Sequence, residues 1–297
     1  MAFAARVATV TGQRAAFTAS AHWPLAIWPG AARKGPHVRC SWPGPVAAAV
    51  SCGSVMMGGM PRRNDLGQLV GDPVGWSGAR PPRTRVFTGR SVRLCPLSVE
   101  EHARQVVEQL SPHPQLWTYQ GDDAPADAEE AALGITVMTQ RADTCAFAIV
   151  DLASGVFQGR VALLRSQPDV GSIEVGGIIY APSLQRTRAA TEVQYLLMRY
   201  AFDDLGYRRY EWKCDSLNQP SRVAATRLGF VEEGTWRNAL VVKGRNRDTA
   251  WYSIADHEWP LVRKALEAWL ADDNFDGAGR QRRSLAELRA RLGDGPA

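Results

Sequence analysis

The stretch EVGGIIYAPSLQRTRAATEV, Glu174 to Val193, decides how the rest of this 297-residue chain is read. Its first half is an apolar run of strand type that carries one glutamate and a Gly-Gly pair. It breaks at Pro182, then passes through a glutamine and arginines into helical spacing. A strand that turns directly into a helix leaves the helix's first N–H groups without carbonyl partners, which makes a ready site for phosphate. Arg186 and Arg188 add positive charge beside the turn from Gln185 to Ala190, so an anionic tail can sit over Arg186 to Thr191. The same residues also read as an ordinary strand-to-helix turn with solvated arginines.

The flanks supply the context. Upstream, CAFAIVD, the turn ASG, VFQGRVALLRS and SIEVGGIIY predict three strands in a meander. RSVRLCPL alternates outward Arg with inward Val and Leu, as a half-buried strand does. SVEEHARQVVEQL then predicts a helix opened by a capping box of Ser98 and Glu101. ADAEEAALGITVMTQ is a second helical segment, after a loop holding Trp117 and Tyr119.

Downstream, RAATEVQYLLMRYAFDDLG sets Val193, Leu196, Leu197, Tyr200, Ala201 and Leu205 on one stripe and stops at Gly206. YRRYEWKC is a strand, PSRVAATRLG a short helix, FVEEGTWRN and RDTAWYSI strands, and DHEWPLVRKALEAWLADD a closing helix. The order predicts an α+β fold around a mixed, mostly antiparallel sheet with one strand, helix, strand crossover at its middle. Residues 84–272 are expected to form that domain, 60–83 a linker and 273–297 a polar tail with at most one short helix.

Charge and cysteine usage narrow the class. The formal charge is +5, yet residues 1–64 hold no Asp or Glu and seven Lys or Arg, leaving 5 − 7 = −2 for the remainder. The folded part therefore offers no electrostatic footprint for nucleic acid. Residues 1–59 read as a disordered extension, as an organellar transit peptide, or as upstream sequence preceding a start at Met56, Met57 or Met60. Balanced charge begins at MPRRNDLGQ, which favours the last. No apolar run approaches the ~20 residues of a membrane span. Five scattered cysteines without a CxxC pair, and five scattered histidines, point away from a disulfide framework or a metal site and towards a reducing cytoplasm.

The Gln185, Arg186, Thr187, Arg188, Ala189, Ala190 turn resembles the acetyl-CoA loop of the GNAT superfamily of N-acetyltransferases, which reads Gln or Arg, x, x, Gly, x, Gly or Ala. Arg188 stands where the family's glycine is usual, and would either narrow the approach of the pyrophosphate or replace it with a charged contact. LNQPSRVAATRLGF resembles the family's second signature through Asn218, Ser221, Leu228, Gly229 and Phe230. With KGRNRDTAWYS, the resemblance lies nearest the RimJ/RimL-like branch and runs from about Arg90 to Trp259.

The resemblance implies a GNAT-like fold whose central strand is bulged and splayed, with the irregularity at Gly176 and Gly177. Acetyl-CoA is then the cosubstrate, held by Ile178, Ile179 and Tyr180 along its pantetheine arm, by Gln185 to Thr191 at its diphosphate, and with Asn218 orienting cofactor or helix. It implies Glu174 as general base, with a solvated sheet glutamate as the plain alternative. Many relatives carry a tyrosine acid at the position of Ala225, so Ser221 becomes the candidate acid, with a first-turn helix role as its alternative. Cys214, on a strand without a paired histidine, reads as buried structure rather than nucleophile. The expected reaction moves acetyl to a primary amine, either a small molecule or a protein N-terminus, without metal, nucleic acid or membrane. The alternative is a silent acyl-CoA-binding sensor or scaffold, motivated by Arg188 and Ala225. Acceptor identity lies in loops such as 111–127 that carry no readable code.

Overall fold

The computed structural model describes residues 62–293; the expectations for 1–59 fall outside them. The chain divides after Asp72. Before that point the described residues form a small hairpin, β1 (Arg62–Arg63) against β2 (Leu69–Val70).

From Pro73 onward the chain builds one eight-stranded sheet. Its strands are β3 (Phe87–Thr88), β4 (Val92–Pro96), β5 (Cys145–Asp151), β6 (Phe157–Gln167), β7 (Ser172–Tyr180), β8 (Arg209–Asp215), β9 (Val231–Val242) and β10 (Arg245–Ala255), in the order β3-β4-β5-β6-β7-β8-β10-β9. Every neighbouring pair is antiparallel except β7 and β8, which the crossover helix α3 (Arg188–Arg199) joins in parallel. The α+β architecture and the mostly antiparallel sheet agree with the sequence reading.

Two apolar layers cover the sheet. On one face, inward residues such as Phe147, Leu163, Ile173, Val175, Tyr210 and Trp212 pack under α3, α4 (Gln219–Leu228), α5 (Trp259–Leu270) and α6 (Leu285–Gly293). The other face is covered over β5 and β6 by α1 (Val99–Gln109) and α2 (Ala128–Thr139) through Ala103, Val106, Ala131, Ile135, Ala146 and Ala148. The whole predicted stripe of α3 and its continuation is buried. That helix loosens at its end into a single π-helical turn, Tyr200–Asp204, before Gly206 at φ +80°.

Two boundaries differ from expectation. Residues from Pro73 are not a free linker, because the Ala79 amide donates to the Pro168 carbonyl and the Trp76 indole to that of Gly206. The C-terminal segment is not a polar tail either. Leu285 and Leu288 of α6 are buried, and Arg289 reaches the carbonyls of Arg227 and Thr226, capping the end of α4. Leu285 and Leu288, three apart, supply the apolar contact, and Arg289 adds the bonds to α4.

Candidate active site

The centre of the sheet is split. Pairing of β7 with β8 runs only from Ser172 opposite Arg209 to Val175 opposite Trp212, and then the strands part. The cause lies in β7. Against β6, Ala162 faces Gly176 while Arg160 faces Ile179, so β7 carries an extra residue at Gly177 and Ile178. Gly177 sits at φ +59°, a conformation that glycine adopts without a side-chain penalty, and a bulge there bends the strand away from β8.

Beyond the bulge the free edge of β7 faces the gap. The Ala181 amide bonds the Gln158 carbonyl, so strand alternation turns Ile179 towards β6 and the main-chain groups of Ile178 and Tyr180 away from it. Both of those outward carbonyls are taken by glutamine side chains, Gln120 Nε2 at 3.3 Å from Ile178 and Gln185 Nε2 at 2.9 Å from Tyr180. Past the bulge, the same alternation sends the Tyr180 amide towards the gap. The Tyr180 hydroxyl receives Gln194 Nε2 at 2.7 Å, and burial drives its pKa far above the usual phenol value. Ile179 itself is buried under the second apolar layer, so the predicted trio divides: two members face the gap and the third packs.

At the end of β7 the chain turns through Arg186, a non-glycine residue at φ +61°, into α3. Thr187 caps the helix, its hydroxyl oxygen accepting the Ala190 amide at 3.1 Å and its hydroxyl donating to the Leu184 carbonyl at 2.6 Å. The amides of Arg186, Arg188 and Ala189 find no protein acceptor among the described residues. This turn satisfies the geometry for an anion. The charged contact expected of Arg188 is not made to the turn, since its guanidinium is engaged with α5 and the segment after it. It donates to the Leu270 carbonyl, pairs with Asp272 Oδ1 at 2.6 Å and lies 4.6 Å from the centre of the Phe275 ring. Thr191, further along, is buried and accepts Arg227 Nη1 at 3.1 Å, a packing role.

Glu174 stands just before the bulge and is 4% exposed. Burying a carboxylate needs compensation, and two cations provide it. Arg165 Nη1 lies 2.7 Å from Oε1, and Lys213 Nζ lies 2.9 Å from Oε2. The Lys213 contact is ionic in character, since Oε2 accepts no aligned hydrogen bond. Alternation along β6 would put Arg165 on the opposite face from Leu164. A second bulge, with Leu164 opposite Glu174 and Gln167 opposite Ser172, and Arg165 at φ +48°, turns it over to Glu174. Lys213 reaches across from β8 and also meets Glu211 Oε2 at 2.8 Å and the Trp251 ring at 3.8 Å. The network continues through Arg209 to Glu211 and Glu233. Glu174 Oε1 lies 3.2 Å from where a Cβ of Gly176 would stand, so the carboxylate is placed at the bulge.

Across the gap, Asn218 caps α4 by accepting the Ser221 amide at 3.2 Å. Ser221 therefore belongs to the first turn, and its Oγ accepts the Trp212 indole N–H at 3.0 Å, which leaves its own proton to donate. Cys214 beside it is buried, and burial pushes its thiol pKa up against a lowering hydrogen bond to Ser221. Ala225 is wholly buried in the core, where a tyrosine could not fit without displacing its neighbours.

The 111–127 loop roofs the other side. Tyr119 donates to the Leu217 carbonyl at 3.1 Å, and Lys243 from the β9–β10 turn reaches the Trp117 carbonyl and Asp123, each at 2.8 Å. Trp117 itself is core, with Arg160 5.3 Å from its ring centre. Lys213 and Arg165 are the site residues the sequence reading missed. Arg209, Glu211 and Lys213 alternate with aromatic and sulfur residues on a central strand, a signal that could have exposed Lys213. Nothing in the sequence announces the bulge that turns Arg165.

Among the described residues no cluster of His, Cys, Asp and Glu could hold a metal ion, and no helix is long and apolar enough to cross a membrane. Residues 91–231 match the family model described as acetyltransferase (GNAT) domain. The chain is 44% identical to a GCN5-related N-acetyltransferase from Brucella melitensis, covering 73% of this chain and 99% of that one at a TM-score of 0.70. A probable acetyltransferase of the GNAT family from Chromobacterium violaceum is 34% identical, covering 65% and 98%, with a TM-score of 0.62. A stretch of 63 residues is 38% identical to the Bacillus subtilis protein named "Putative ribosomal N-acetyltransferase YdaF"; it spans 21% of this chain and about a third, 34%, of that relative.

Proposed function

The chain belongs to the GNAT family of N-acetyltransferases, and on that footing we propose that it transfers acetyl from acetyl-CoA to a primary amine by direct attack. The acceptor is a small molecule or a protein N-terminus, in keeping with the RimJ/RimL-like branch. The observation that carries the reading is the split at Gly177, where β7 parts from β8 and runs on into a turn whose Arg186, Arg188 and Ala189 amides have no acceptor among the described residues.

The residues present fit the cosubstrate. Arg186, Arg188 and Ala189 offer main-chain N–H groups to a diphosphate, Thr187 holds the turn in shape, and the free edge of β7 matches the amide-bearing pantetheine arm. Acetyl-CoA supplies the activated thioester carbonyl. The chain's own part is to orient and to move protons. The amides of Ile178 and Tyr180 polarise that carbonyl in a setting where water is replaced by fixed dipoles. Glu174 takes the proton from the attacking amine, directly or through water, and Ser221 supplies one to the departing sulfur. Asn218 acts at one remove by fixing the first turn of α4, on which Ser221 stands.

CoA release by the purified full chain, followed with a thiol reagent over a panel of amines and peptides, tests the reading. Turnover should appear with at least one acceptor class, fall about a hundredfold or more in Glu174→Gln, and fall less in Ser221→Ala. A Glu174→Gln enzyme as active as wild type across the alkaline range would remove Glu174 from its role.

A further inference from the structure

The two oxygens of Glu174 are held differently, and the difference assigns them different work. Arg165, on Oε1, keeps 54% of its side chain exposed, whereas Lys213, on Oε2, keeps 11%. Arg165 is the partner that can leave more readily, because water takes over its half-exposed guanidinium and an incoming cation can replace it at the carboxylate. A buried pair is costly to break, because it leaves an uncompensated charge behind. Lys213 is further fixed by Glu211 and by the Trp251 ring, so its ammonium has carboxylates on two sides and an aromatic face on a third. It also stands one residue past Trp212, where the β7–β8 pairing ends.

We infer that Lys213 is a positioning residue for acetyl transfer. It locks the Glu174 carboxylate through Oε2 and leaves Oε1, the oxygen at the bulge, to exchange Arg165 for the acceptor's nitrogen and take its proton. This rests on the proposed role of Glu174. The charged groups facing Glu174 are Arg165 from β6 and Lys213 with Glu211 from β8, with Arg209 and Glu233 behind them. No other described lysine approaches this carboxylate.

The experiment compares wild type, Glu174→Gln, Lys213→Arg and the charge-balanced double variant Glu211→Gln/Lys213→Met, which avoids stranding an extra buried charge. Acetyl-CoA kinetics are run against the acceptor found in the panel, and thermal unfolding checks that each protein is folded. The double variant should lose about ten- to a hundredfold in kcat with acceptor KM within about threefold, the size expected when a reacting group is misplaced. Lys213→Arg should recover most of the activity.

A double variant with wild-type kcat, beside an inactive Glu174→Gln, overturns the role of Lys213 alone. An active Glu174→Gln removes the base itself, and the inference falls with the proposed mechanism. A Lys213→Arg enzyme no more active than the double variant, or a loss carried by acceptor KM rather than kcat, marks a merely structural role and overturns it too.

Discussion

Replacing Arg188 with alanine separates two meanings of a charged residue at the family's glycine position. In the structure the guanidinium serves α5 and the segment after it, not the turn. The side chain contributes a hydrogen bond to the Leu270 carbonyl, worth about 1 kcal/mol, and a ring contact with Phe275, worth about 0.5–1 kcal/mol. The pair with Asp272, whose side chain is 82% exposed, adds nothing that can be counted. Alanine is preferred to glycine because glycine in a helix costs a further ~1 kcal/mol of its own. The expected loss is therefore about 1.5–2 kcal/mol, or roughly 3–8 °C in Tm for a folded unit of this size. Acetyl-CoA affinity, measured by calorimetry on the full chain, should stay within about threefold. A guanidinium bonded to the diphosphate would be worth about 1.5–3 kcal/mol, which is roughly a 10- to 150-fold weaker Kd when removed. An affinity loss of that size with an unchanged Tm would refute the placement of Arg188.

Glu192→Gln should lower stability by about 3 kcal/mol in urea unfolding. The buried Glu192 carboxylate accepts the amides of Arg90 and Ser91 and the Ser91 hydroxyl at 2.6–2.9 Å, and an uncharged amide cannot accept all three. Gly159→Ala should cost at least about 3 kcal/mol and Gly177→Ala about 1–2. A Cβ on Gly159 would lie 2.2 Å from the Ile179 carbonyl oxygen, whereas one on Gly177 meets only the end of Met138 at 3.1 Å; equal midpoints for the two variants would contradict this. Arg209 holds the Glu233 carboxyl below its ordinary value of 4.5, chiefly by hydrogen bonding. A depressed acid stabilises the fold above its unfolded pKa and loses that contribution as pH falls through the folded one. Arg209→Met should therefore destabilise at pH 7 and match wild type progressively more closely as pH falls below 4.5, as read by thermal unfolding.

Most of the architecture was legible because periodicity and punctuation agree along this chain. Gly206 and Gly229 end helices, and Ser98 opens one as expected. The reciprocal half of that capping box is different, since the Ser98 amide is taken by His102 Nδ1 at 3.1 Å rather than by Glu101. Side-chain competition of that kind depends on a rotamer that spacing does not encode. The split itself was legible through the family resemblance, which implied a bulged central strand, and the Gly176–Gly177 pair supplied its position. What escaped was everything that depends on which face a side chain reaches after a bulge. Arg165 is turned to Glu174 by one extra residue in β6, and Arg188 is drawn off its turn by partners more than eighty positions away. The predicted polar tail failed for a related reason: its arginines look solvated in sequence, yet Arg289 fastens the end of another helix.

The short parallel seam has a mechanical meaning. Four residue pairs are all that stitch one half of the sheet to the other along the ladder, so the lips beyond Val175 and Trp212 can breathe without unravelling either half. A molecule lodged between them acts as a replacement rung. Hydrogen exchange at Ile178 and Tyr180 should slow when acetyl-CoA is added, and it would report occupancy of the cleft before any acceptor is known.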